Sequence, residues 1–87
     1  MKKFIADRPF ADPDAAARKI VEIAKEGEAV QNGRIYIERV NAPFLAGAGS
    51  GDDFGSGIER AIALGWLWCH ESGTYVKFTD GGAALFA

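Results

Sequence analysis

The run Trp66-Leu67-Trp68-Cys69-His70-Glu71-Ser72-Gly73-Thr74-Tyr75-Val76-Lys77-Phe78 constrains this chain more than any other feature, because its side chains alternate about a Ser72-Gly73 turn signal. Counting outward from a two-residue turn pairs Glu71 with Thr74, His70 with Tyr75, Cys69 with Val76, Trp68 with Lys77 and Leu67 with Phe78. Successive strand residues point to opposite sides. Leu67, Cys69, Val76 and Phe78 therefore share one apolar face, and Trp68, His70, Tyr75 and Lys77 share the other. A slip of one residue would scatter both sets, so the pattern specifies its own register.

Size bounds what surrounds this hairpin. With 87 residues, 48% of them hydrophobic and 25% charged, the chain suits one small domain over residues 1–87, with an N-terminal arm at 1–11. No run approaches the roughly 18 apolar residues of a membrane span. The start, Met1-Lys2-Lys3-Phe4-Ile5-Ala6-Asp7-Arg8, meets charge before a signal-peptide core develops, so a cytoplasmic protein is expected. Cys69 is the one cysteine, which excludes an intrachain disulfide and a multi-cysteine zinc site. A domain this small buries enough surface for a core and too little for a deep active site beside it, so a non-enzymatic role without a cofactor is expected.

Charge divides unevenly along the chain. Residues 1–44 hold eight bases against seven acids, whereas residues 45–87 hold Arg60 and Lys77 against Asp52, Asp53, Glu59, Glu71 and Asp80. The C-terminal half is acidic, an unfavourable balance for binding a polyanion.

Before the hairpin, Asp12-Pro13 signals a helix start, a capping side chain followed by a proline suited to the first helical position. The helix runs to Glu26 with Ala16, Ile20, Ile23 and Ala24 on one stripe and Val21 beside them, and Gly27 ends it. Arg34-Ile35-Tyr36-Ile37-Glu38 reads as a short strand with Ile35 and Ile37 on one face and Tyr36 and Glu38 on the other. Residues 41–46 read as a one-turn helix capped by Asn41, with Phe44 and Leu45 toward the core. Five glycines within residues 47–57 predict a flexible loop, because each loses much chain entropy on ordering. Phe54, Ile58, Ala61 and Ile62 then recur at helical spacing; the helix starts either near Asp52 or at Ser56, where Ser56 and Glu59 form a capping box. Gly65 is its stop, and Thr79 caps a final turn that returns Leu85 or Phe86 to the core.

This order of elements, the step Ala63-Leu64-Gly65-Trp66-Leu67 and the closing run from Tyr75 through Thr79-Asp80-Gly81-Gly82 to Leu85 resemble a winged helix-turn-helix domain. The resemblance implies an α+β fold, a small helix bundle with a short strand and a C-terminal β-hairpin. It also implies a DNA-binding transcriptional regulator in which residues 52–64 form the recognition helix and residues 71–74 the wing tip, with Arg60, Lys77 and Ser56 toward nucleic acid. The residues themselves point elsewhere: the leading turn of that helix offers Asp52 and Asp53, and helix and wing together supply two bases. The superfamily includes many domains that never touch DNA.

Other chemistry is weaker. Cys69 and His70 are adjacent on a strand and point apart, which rules out a nucleophile-base pair. Gly47-x-Gly49-x-Gly51 lacks the Lys-Ser/Thr end of a phosphate loop, and Asp52 and Asp53 would repel the anion. Those aspartates and Asp80 match no calcium-loop spacing, so no metal site is expected. The remaining candidate is the outer hairpin face, Trp68, His70, Tyr75 and Lys77, joined by Tyr36 and extended to Trp66, as a surface for a protein partner or a second copy of the chain. The competing reading covers that face with the N-terminal arm through Phe4, Ile5 and Phe10.

Overall fold

Asp12 and Pro13 open the first helix as their chemistry requires. In a computed structural model that describes residues 9–27, 33–47 and 49–86, helix α1 spans Pro13–Gly27. The Asp12 carboxylate accepts from the Asp14 amide at 3.1 Å, and the Asp12 carbonyl takes the first helical bond from Ala16. Ala16, Ala17, Ile20, Val21 and Ala24 form its buried stripe, with Ile23 packed at the margin. The chain continues through β1 (Ile35–Tyr36), α2 (Ile37–Ala46), α3 (Gly51–Ala63), β2 (Leu67–Cys69), β3 (Tyr75–Phe78) and α4 (Asp80–Ala84). The result is an α+β domain whose antiparallel sheet has the order β1-β3-β2.

The hairpin register agrees with the alternation: Leu67 lies opposite Phe78, Trp68 opposite Lys77 and Cys69 opposite Val76. Its turn differs in detail. The Gly73 amide donates to the His70 carbonyl at 2.9 Å, so the tight turn is centred on Glu71-Ser72 and Gly73 follows it at φ +75°. This four-residue loop keeps the pairing that a Ser72-Gly73 turn would give, since His70 still donates to the Tyr75 carbonyl.

The strand expected over residues 34–38 shrinks to Ile35 and Tyr36, which pair with Val76 and Tyr75. After Tyr75 the facing strand gives way to the hairpin loop. The Ile37 amide makes one more bond, to the Thr74 carbonyl. With no further strand to pair against, the chain turns into α2 at Ile37. Asn41 consequently lies inside that helix rather than capping it. Phe44 is buried as expected, but Leu45 is 42% exposed.

The glycine-rich segment is the largest departure. Of the two starts expected, the one near Asp52 agrees with the structure: residues 51–57 are helical rather than a flexible loop, and α3 begins at Gly51, capped by Ser50, whose hydroxyl accepts from the Asp53 amide at 3.0 Å while the Asp53 carboxylate accepts from the Ser50 amide at 3.2 Å. This reciprocal pair replaces the expected Ser56 and Glu59 box and satisfies two end-of-helix donors. Gly57 is where α3 meets α1. A Cβ there would stand 2.6 Å from Ile20 Cδ1 and 2.8 Å from Ala16 Cβ, so the absent side chain sets the approach of the two helices. Phe54, Gly57, Ile58 and Ala61 therefore form the inward stripe, while Ile62, one residue further round, is 39% exposed rather than in the core. Gly65 stops the helix at φ +80°, in the left-handed region.

Thr79 caps α4 through the Gly82 amide, and its hydroxyl donates to the Gly65 carbonyl, joining the end of α3 to the start of α4. The residue that α4 buries is Gly82; Leu85 and Phe86 are each more than a third exposed. Phe86 leans edge-on against Phe78 at the surface, with Lys25 Nζ 5.8 Å from its ring centre. Inside, Phe44 is flanked by Phe10 at 5.1 Å and Phe54 at 5.5 Å, centroid to centroid. Phe10 thus packs on the core and not on the outer hairpin face; Phe4 and Ile5 lie outside the described residues. Among the described residues no helix is long and apolar enough to cross a membrane.

Candidate interaction surface

The inner side of the sheet, through Ile35, Leu67 and Val76, is buried in the core, which leaves the opposite parity on the outer side. Cross-strand register then arranges these residues in two rows. Tyr36, Tyr75 and His70 form one, joined by the Tyr36 to Tyr75 pairing and the His70 amide bond to the Tyr75 carbonyl. Trp68 and Lys77 lie opposite each other in the next, and continuing the pairing of Ile35 with Val76 by one residue adds Arg34.

Tyr75 is the hub of this surface. The His70 ring stacks on it at 4.7 Å and 16°, while Tyr36 and Trp68 meet it edge-on at 6.0 and 6.3 Å. The Arg34 guanidinium lies 5.0 Å from its centroid, a favourable approach of a cation to an aromatic ring. Trp68 also contacts His70 edge-on at 5.8 Å, yet remains 48% exposed. The structure therefore brings together Trp68, His70, Tyr75, Lys77 and Tyr36. It adds Arg34, which shares the parity of Tyr36 in the sequence. Trp66 does not join them; it packs against the core with Arg18 of α1 5.7 Å above its ring.

His70 is held by the hairpin loop. Its Nδ1 accepts from the Ser72 amide at 3.1 Å and lies 2.9 Å from the Ser72 hydroxyl, which in turn is 2.8 Å from the Thr74 hydroxyl. An Nδ1 that accepts leaves Nε2 to carry the proton of the neutral ring. The Cys69 thiol donates to the His70 carbonyl at 3.4 Å from the partly buried inner side. Thiol and imidazole thus sit on opposite sides of the sheet. Among the described residues no group of three or more His, Cys, Asp or Glu is arranged to hold a metal ion.

Beyond Tyr36 the surface continues into an open groove of about 460 Å³, lined by Tyr36, Ile37, Glu38, Asn41, Gly73 and Thr74. Asn41 has its Oδ1 buried without a hydrogen-bond partner, a costly state for a polar atom.

The residues of the nucleic-acid reading are dispersed. Ser56 lies exposed in mid-helix, on a side of α3 that also exposes Asp52, Gly55, Glu59, Ile62 and Ala63. Arg60 is bonded to Asp14 at the start of α1, and Lys77 belongs to the sheet beside Trp68. The exposed side of α3 accordingly presents acids and small or apolar groups without a free base.

Comparison with known proteins gives no match: no family model, no curated protein and no solved structure matches the chain.

Proposed function

We propose that this chain is a non-enzymatic, winged-helix-like interaction module that binds a protein, either another polypeptide or a second copy of itself, through the outer side of its sheet. The observation that carries this reading is Trp68, 48% exposed beside the Tyr75, His70 and Tyr36 rings. Tryptophan, tyrosine and arginine dominate the binding energy of protein interfaces, because a rigid ring buries a large area at small entropic cost. Support for a winged-helix scaffold comes from the element order and the sheet order β1-β3-β2. That same order favours a second reading, a DNA-binding regulator using α3 and the hairpin; the acidic α3 surface disfavours it.

A photo-crosslinking amino acid at position 68, with position 45 as an equally exposed apolar control on α2, tests the proposal in the intact chain. Adducts to polypeptide at position 68 alone are expected, and sedimentation separates a second copy from a different protein. Equal labelling at both positions, or none at either, overturns the reading; adducts to DNA favour the regulator.

A further inference from the structure

We propose that the partner for the outer sheet surface is an acidic polypeptide segment in extended form, its carboxylates meeting Arg34 and Lys77 and its apolar or aromatic side chains meeting Trp68. The inference rests on the interaction reading above and names the chemistry of the partner.

Charge carries the argument. The six residues of the two rows include two cations and no acid. Continued by one residue beyond Ile35 and Val76, the register sets Arg34 opposite Lys77, an arrangement of like charges that is unfavourable by itself. Among the described residues neither forms an ion pair with a carboxylate; the ion pairs are Lys19 with Glu22 and Arg60 with Asp14, both elsewhere. An anionic group between Arg34 and Lys77 relieves that repulsion. The guanidinium over Tyr75 is oriented by the ring, which lowers the ordering cost of a paired, charge-assisted contact with a carboxylate. A symmetric second copy would bring together two surfaces that each carry two cations and no acid, so self-association through this surface is disfavoured.

The same surface distinguishes a peptide from a single-stranded nucleic acid. Stacking of successive bases needs several open ring faces, but Tyr75 is stacked by His70 and approached by Arg34, which leaves Trp68 as a single platform. The adjoining groove carries Glu38, which would repel a phosphate chain. The acidic end of the segment therefore lies over Arg34 and Lys77, and its other end passes Tyr36 toward the groove that carries Glu38.

Fluorescence anisotropy of the full chain against four labelled probes tests this: a ten-residue peptide alternating glutamate and tyrosine, its glutamine and lysine counterparts, and decathymidylate. The glutamate peptide is expected to bind at least about tenfold more tightly than the other three, with the preference shrinking as salt rises. Arg34→Met and Lys77→Met should each weaken it, Trp68→Ser should abolish it, and Ile62→Ser on α3 should leave it unchanged. Arg34→Lys, which keeps the charge, should lose less than Arg34→Met. Equal binding of the glutamine peptide, or tighter binding of the lysine peptide, overturns the acidic partner. So does binding of no peptide while position 68 crosslinks to polypeptide; in each of these cases the interaction reading survives. A chain dimer that Trp68→Ser dissociates likewise overturns it in favour of self-association. Tighter binding of decathymidylate overturns both.

Discussion

Arg60 Nε lies 2.5 Å from Asp14 Oδ1, so the one base of α3 is turned onto the start of α1. Both side chains are substantially exposed, 44% and 62%, and the pair adds at most about 1 kcal/mol to stability after solvent screening. Its consequence is for function: a helix that would read DNA has its only cation engaged and Asp52 and Glu59 outward. The expected outcome is no appreciable binding to duplex DNA at physiological ionic strength, in the wild type and in Asp14→Asn alike. A fluorescence titration with submicromolar affinity, falling steeply as salt rises, would instead make the chain a DNA-binding regulator.

The glycines of α3 should respond in opposite directions. Alanine is favoured over glycine in a helix by about 1 kcal/mol, and Gly55 has nothing within 4 Å of a would-be Cβ, so Gly55→Ala should stabilise the domain by about 0.5–1 kcal/mol. At Gly57 the new methyl meets Ala16 and Ile20, and the overpacking cost of about 1–3 kcal/mol outweighs that gain. Gly57→Ala should therefore lower the urea midpoint and Gly55→Ala raise it. Equal shifts would mean that α1 and α3 do not pack through Gly57.

The contrast between these two glycines also marks how far the fold was legible in the sequence. The hairpin could be read because four apolar positions and a turn signal agree on one register, and α1 because its cap, stripe and stop agree. The start of α3 could be narrowed only to Asp52 or Ser56, since composition argues for a loop there; a Ser50 and Asp53 cap and a tertiary contact at Gly57 override the entropy of the glycines and favour the earlier start. The run Ile35-Tyr36-Ile37 has the residue types of a strand, and its truncation follows from where β3 begins, which is not local information. In the candidate surface, alternation grouped Trp68, His70, Tyr75 and Lys77. Alternation alone does not add Arg34, despite its parity with Tyr36, because its contact with Tyr75 depends on β1 pairing with β3.

Leu67 and Ile62 separate core from surface within a few residues. Leu67 is 2% exposed, so Leu67→Ala should cost about 2–5 kcal/mol, the lost transfer energy plus the cavity left behind. Ile62 is 39% exposed, and Ile62→Ala should cost less than about 1 kcal/mol. Chemical denaturation of both variants checks the difference. Equal costs would place Ile62 in the core.

Thr79 should matter more than a surface hydroxyl usually does. Its oxygen accepts from Gly82 and donates to the Gly65 carbonyl, so Thr79→Ala removes a helix cap and the tie between α3 and α4 together, at about 1–2 kcal/mol. Thr79→Ser, which keeps both bonds, should retain most of that. Thermal melts of the pair decide it, and equal losses would assign the effect to the methyl group.

The last prediction separates the aromatic ring that holds the fold from the one offered to a partner. Phe10 sits 5.1 Å from Phe44 and packs against the core, so Phe10→Ala should lower stability by about 1–3 kcal/mol. Trp68 is larger but half-exposed on the outer side of the sheet, away from Leu67 and Val76, so Trp68→Ser should cost only about 1 kcal/mol, for its edge-on contacts with Tyr75 and His70. Each kcal/mol moves the melting temperature of a domain this size by about 4–8 °C, which a thermal melt resolves easily. Binding should show the reverse order, with Phe10→Ala retaining the partner below its lowered melting temperature and Trp68→Ser losing it. If Trp68→Ser were instead the more destabilising change, its ring would belong to the packing of the domain, and the outer side of the sheet would lose the residue on which its role as an interface depends.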